Sequence, residues 1–94
     1  MPATLVQALI RRGDAMLATG DISAARLLYE RAAAGGSGAA ALALGRTHDP
    51  AVLASLGTRG LRPDPEEAER WYRRALALGE PEAEEALRTM QRPR

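Results

Sequence analysis

An internal repeat is the feature that most constrains what this chain can fold into. Six residues recur after 43 positions: Asp21, Ala25, Tyr29, Arg31, Ala32 and Gly36 return as Asp64, Ala68, Tyr72, Arg74, Ala75 and Gly79. The same offset relates Ala40, Ala43 and Leu44 to Ala83, Ala86 and Leu87. Repeated units that cannot bury their own apolar faces are typical of stacked arrays. The sequence therefore predicts two helix-turn-helix units followed by the first helix of a third.

The first unit spans about residues 4–36 and is predicted to have two helices. The first helix covers about Thr4–Thr19 with Thr4 as its N-cap, and its apolar residues fall on one arc. Gly13 lies inside that arc. Because a glycine in mid-helix costs about 1 kcal/mol relative to alanine, we expect the second helix to approach it closely. That second helix covers about Ile22–Ala34, and Asp21 is its predicted N-cap.

The second unit spans about residues 38–79 and contains an insertion. Its first helix is predicted at about Ala39–Thr47, and Asp64 begins its second. Between them, Asp49-Pro50 is a cap followed by a first-turn proline, which predicts a short inserted helix at 50–56. We expect a loop from there to the next helix.

The C-terminal end is predicted to be a capping helix at about residues 81–91. Its apolar residues form one narrow stripe, namely Ala83, Ala86, Leu87 and Met90. The remaining surface is charged, which suits the end of a stack. The tail 91–94 is expected to fray.

The composition excludes several classes of function. The 94 residues are enough for one domain, 1–94, whose apolar content is mainly alanine and leucine, without phenylalanine, cysteine or lysine. A formal net charge of +1 gives little attraction to nucleic acid or to an anionic membrane. No stretch is apolar enough to insert into a bilayer, and the start of the chain lacks the pattern of a signal peptide. We expect a soluble domain of bacterial type, cytoplasmic or periplasmic.

The second copy carries a fairly specific pattern around its tryptophan-tyrosine pair. The pattern comprises Ala41, Leu44-Gly45, Gly60-Leu61, Asp64, Ala68, Trp71-Tyr72, Ala75 and Gly79. On these residues the sequence resembles the tetratricopeptide-like solenoids, and its second half resembles the Sel-one-like repeat subclass. The first unit is nearer the tetratricopeptide form, through Leu9, Gly13, Gly20-Asp21, Ala25, Tyr29 and Ala32. The resemblance implies an all-α, right-handed α-solenoid of about two units with a C-terminal capping helix.

The sequence departs from that family at a few positions. Met16 and His48 stand where the family has a first-helix tyrosine, and Arg88 stands where a third unit would have glycine. The step from His48 to Leu61 is about twice the usual length, and the inserted helix accounts for it.

No set of residues predicts catalysis, a metal or a cofactor. His48 is the only histidine and has no second ligand or nucleophile beside it, so a partly buried structural role is favoured over a partner contact. The first-turn glutamates complement helix dipoles. The Gly35–Gly38 segment follows a helix and lacks the lysine of a phosphate loop. Trp71 and Tyr72 have the spacing of packing residues rather than of a base-stacking platform. We therefore expect a protein that is not an enzyme.

The resemblance also implies a binding surface, because the first helix of each unit lines the groove of a tetratricopeptide-like solenoid. The corresponding positions here are Gln7, Ile10, Asp14, Leu17, Leu42, Arg46, Glu82, Glu85 and Thr89. This mixed strip suits a peptide or helix of a partner protein.

Two other functions remain open. The chain could instead be a structural terminal domain that docks within, or dimerises, a larger bacterial protein. Nucleic-acid binding would use arginines such as Arg11, Arg12, Arg70, Arg73 and Arg74, and the net charge argues against it.

Overall fold

The computed structural model describes residues 1–57 and 60–92. The helices are α1 (Ala3–Ala18), α2 (Ile22–Ala34), α3 (Gly38–His48), α4 (Pro50–Leu56), α5 (Pro65–Ala77) and α6 (Glu82–Gln91). The described residues contain no strand, so the predicted all-α class is confirmed. Thr58 and Arg59 of the predicted loop, and Pro93 and Arg94 of the tail predicted to fray, lie outside the described residues.

The helices pack mainly in chain order. α1 packs against α2, α2 against α3, α3 against α5, and α5 against α6, while α4 lies on α3. The resulting body measures 42 × 29 × 16 Å, so it is long and thin. One core of alanines, leucines, a valine and two tyrosines runs through these interfaces.

Aspartate and serine side chains begin four of the helices. The carboxylates of Asp21 and Asp64 accept hydrogen bonds from the backbone N–H groups three residues on, and Asp49 accepts one from Ala51, as predicted for these caps. Ser37 does the same for α3. The predicted Thr4 cap is wrong: α1 begins earlier, after Pro2, whose carbonyl accepts hydrogen bonds from the N–H groups of Leu5 and Val6.

Each of two helix pairs is built around a glycine that faces a tyrosine ring. Gly13 on α1 faces Tyr29 on α2, and a Cβ atom added at Gly13 would lie 2.6 Å from Cε1 of that ring. Gly45 on α3 faces Tyr72 on α5, and a Cβ added there would lie closer still to Cδ1 and Cε1. The expected close approach at Gly13 is confirmed. Both tyrosines are buried, whereas Trp71 is half-buried at the edge of the same core.

Candidate functional site

Part of the predicted groove comes together on one face of the molecule. Asp14 and Leu17 of α1 and Arg46 of α3 line the same cavity. The Arg46 guanidinium lies 3.8 Å from a carboxylate oxygen of Glu82, which joins α3 to α6. These four residues therefore form a continuous surface across α1, α3 and α6.

The other predicted groove residues lie elsewhere or have other partners. Leu42 is only 5% exposed and belongs to the core, so it offers little surface to a partner. Gln7 lies on the N-terminal half of α1, where it borders a shallow hollow by the turn between α2 and α3. Glu85 forms ion pairs with Arg88 and Arg92, at 2.7 and 3.9 Å. The remaining two, Ile10 and Thr89, are half-buried and exposed, respectively.

The structure adds a wall to the groove that the sequence reasoning did not assign to it. The inserted helix α4 places Val52, Leu53 and Leu56 around the cavity that Asp14 and Leu17 also line. That cavity has a volume of about 240 Å³, and it shares Asp14, Leu17, Ile22 and Leu56 with an outer cleft of about 830 Å³. Val52 and Leu53 lie four and three residues before Leu56, so each is one helical turn from it, and this spacing was the signal in the sequence.

A phenol–carboxylate hydrogen bond fixes each of the buried tyrosines. The hydroxyl of Tyr29 donates to Asp14 at 2.6 Å, and that of Tyr72 donates to Asp49 at 2.7 Å. Burial, reinforced by the carboxylate partner, raises the pKa of both phenols well above the ordinary value. Both side chains are therefore neutral donors. Asp14, a predicted groove residue, thus has one oxygen engaged with the core and lies exposed at the rim of the cavity.

The end of α3 is held by contacts from two other helices. Arg26 of α2 donates to the hydroxyl of Thr47 at 3.0 Å and to its carbonyl at 2.6 Å. The carbonyl of His48 accepts from the N–H of Asp64, at the start of α5. His48 is half-buried, and burial, with a smaller effect of nearby Arg26, lowers the pKa of its imidazole. These contacts fix the position from which α4 departs.

The charged side chains of α5 pair mainly with one another. Arg70 lies 2.5 Å from a carboxylate oxygen of Glu67, and Arg73 lies 2.6 Å from one of Glu69. Two of the arginines considered for nucleic-acid binding are therefore partly neutralised within their own helix. Because exposed pairs of this kind contribute about 0–1 kcal/mol, their role in stability is small.

In residues 1–57 and 60–92, no cluster of three or more histidine, cysteine or carboxylate side chains has the arrangement of a metal site. Within the same ranges, each helix is too short or too polar to cross a membrane. In comparisons with models of protein families, with curated proteins and with solved structures, nothing matched this chain.

Proposed function

We propose that the chain is a tetratricopeptide-like helical-repeat module, of the Sel-one-like type, that binds a segment of a partner protein without catalysing a reaction. In this proposal it is a right-handed α-solenoid of two units and a capping helix. Two observations support the architecture: the helices pack in chain order, and two helix pairs share the glycine–tyrosine contact. A lone helix pair cannot bury its apolar face, so stacking supplies the core.

The binding proposal depends on one cleft, which comprises the inner cavity lined by residues of α1, α2, α3 and α4 and the outer cleft beside it. It combines a half-buried leucine, Leu17, with an exposed one, Leu56, and with polar groups at its rim. A partner segment that covers these leucines would gain roughly 25 cal/mol for each Å² of apolar surface removed from water. Its polar atoms would be oriented by the carboxylates at the rim. Peptide recognition of this kind needs no reacting group.

Two leucine substitutions on different faces test the proposal. Peptides selected by phage display against the immobilised chain provide ligands whose affinity can be measured by calorimetry. Leu17→Glu places a charge in the cleft and should abolish binding. Leu27→Glu is the matched control, because Leu27 is 64% exposed on α2 and does not line the cleft. Equal thermal midpoints would show that both variants fold. Binding that survives Leu17→Glu would contradict the groove, whatever the effect of Leu27→Glu.

The alternative, a domain that docks or dimerises, has one observation in its favour. Leu27 is a large apolar side chain that is exposed to water outside the cleft. Light scattering of the purified chain separates the two functions. A dimer that becomes monomeric on Leu27→Glu would support dimerisation through α2. A monomer that binds peptides through Leu17 would support the module.

A further inference from the structure

The inserted helix α4 borders a cleft together with α1 and α3, and this cleft has an inner cavity and an exposed rim. Leu53 is 3% exposed and anchors α4. Asp49, just before α4, caps this helix with one carboxylate oxygen and accepts the Tyr72 hydroxyl with the other. α4 is therefore attached to the core at its N-terminal end and in its middle. Its last residue, Leu56, is 55% exposed at the mouth of the cleft.

The inner part of the cleft is small and lined mainly by apolar side chains. Its volume of about 240 Å³ lies below the roughly 300–1,000 Å³ of sites for small molecules. Leu17, Ile22, Val52 and Leu56 contribute apolar surface to it. Arg46 also borders this space, and its guanidinium lies 3.8 Å from Glu82.

Two aspartates lie at the rim of the cleft. Asp14 and Asp21 line its outer part, and no basic side chain occurs among the described residues that do so. Ala18 and Leu56, the last residues of α1 and α4, line this cleft, so the negative ends of both helix dipoles lie beside it. The N-terminal end of α2 also opens here, but Asp21 caps it. The carboxylates of Asp14 and Asp21 therefore complement a cation at this part of the rim.

We propose that the cleft binds a partner segment in which an apolar side chain stands next to an arginine or lysine. This inference rests on the proposed function and specifies its partner. The apolar side chain enters the inner cavity against Leu17 and Leu56. The neighbouring cation lies between Asp14 and Asp21. Each of these carboxylates uses one of its oxygens to accept a hydrogen bond within the protein, Asp14 from the Tyr29 hydroxyl and Asp21 from the Ala24 N–H.

The test uses the whole chain and synthetic capped peptides as probes. The first peptide is Gly-Ser-Arg-Leu-Arg-Ser-Gly; the second has glutamate for both arginines, and the third has serine for the leucine. Binding is followed by calorimetry and by NMR shifts of the cleft residues. We expect the first peptide to bind, the other two to bind much more weakly, and the affinity to fall as salt is added.

Substitutions that remove the charges of the two aspartates but keep their hydrogen bonds make the test specific. Asp14→Asn together with Asp21→Asn keeps both acceptors, since asparagine caps helices as well as aspartate does. It should weaken the first peptide about 3- to 30-fold, as expected for two exposed ion pairs. Asp64→Asn is the matched control: it is also a helix cap, but it lies outside the cleft, and binding should not change. Leu56→Gln should also weaken binding, with Leu27→Gln as its control.

The outcomes separate this inference from the proposed function. If phage-selected peptides bind, depend on Leu17 and carry acidic or uncharged residues beside the apolar one, the module stands and the cationic partner is overturned. If no peptide binds through Leu17, both are overturned. A dimer in solution that dissociates on Leu56→Gln would mean that a second copy fills the cleft, which also overturns the inference.

Discussion

For Gly45→Ala, core packing predicts a loss of stability, whereas helix propensity predicts a gain. In an exposed helix, replacing glycine by alanine stabilises by about 1 kcal/mol. Gly45 is buried on α3, however, and a Cβ atom there would overlap Cδ1 and Cε1 of Tyr72. The ring cannot turn aside freely, because its hydroxyl is bound to Asp49 and its whole side chain is buried. The helices α3 and α5 would have to separate.

The expected magnitude follows from these two contributions. Overpacking a close-packed core costs about 1–3 kcal/mol, and the overlap at Gly45 is severe enough to place it near the upper end. After the propensity gain is subtracted, the variant should be destabilised by about 1–2 kcal/mol. For a domain of this size, each kcal/mol lowers the thermal midpoint by about 4–8 °C. Gly13→Ala should show the same sign with a smaller loss, because its Cβ would lie 2.6 Å from the Tyr29 ring.

Urea unfolding followed by circular dichroism measures these differences directly, with the midpoint and slope fitted for each variant. Ala15→Gly is the control for helix propensity, since Ala15 is exposed on α1, and it should cost up to about 1 kcal/mol. The reasoning would be refuted by a Gly45→Ala variant as stable as the parent or more so. A Gly13→Ala loss that clearly exceeds the Gly45→Ala loss would refute the ranking of the two contacts.

Three further predictions concern the two tyrosine hydroxyls and His48. Tyr72→Phe should cost about 1–3 kcal/mol in urea unfolding, because it leaves one oxygen of the buried Asp49 carboxylate without its donor. Tyr29→Phe should cost less, because Asp14 is exposed to water; equal losses would contradict the difference in burial. Since burial lowers the pKa of His48 from 6.5, the folded state favours the neutral imidazole, so stability should decline as the pH falls from 6.5 toward the folded pKa. His48→Gln should remove this part of the acid dependence, and an NMR titration of the imidazole with a pKa at or above 6.5 would contradict it.

Local features of the fold could be read from the sequence because they depend on neighbours in the chain. The caps at Asp21, Asp49 and Asp64 need only a carboxylate and the next turn of helix. Gly13 was informative for a different reason: a glycine on the apolar face of a helix is costly unless another helix lies against it. Thr4 shows the limit of such reasoning, because an extended Pro2 starts the helix before the favoured cap residue is reached.

The groove was harder to predict because α3 is buried on most of its surface. Leu42, assigned to the groove by resemblance, lies in the core, as do Ala40 and Leu44 on other faces of the same helix. When a helix is apolar all round, periodicity does not show which face is open. The contacts of Arg26 with Thr47 and of Asp49 with Tyr72 join residues far apart in the chain, and no local pattern encodes them.

The insertion links the stability of the second helix pair to the shape of the cleft. From glycine to tyrosine the first pair spans 16 positions and the second spans 27, so the second carries eleven extra residues. In the first pair, the residue directly after the glycine is Asp14, which accepts the hydrogen bond of the tyrosine hydroxyl. In the second pair, the residue directly after the glycine is Arg46, which instead forms an ion pair with Glu82. Asp49, at the start of the insertion, supplies the missing carboxylate and also caps α4. Removing the insertion would therefore take away both the partner of Tyr72 and the wall of the proposed binding site.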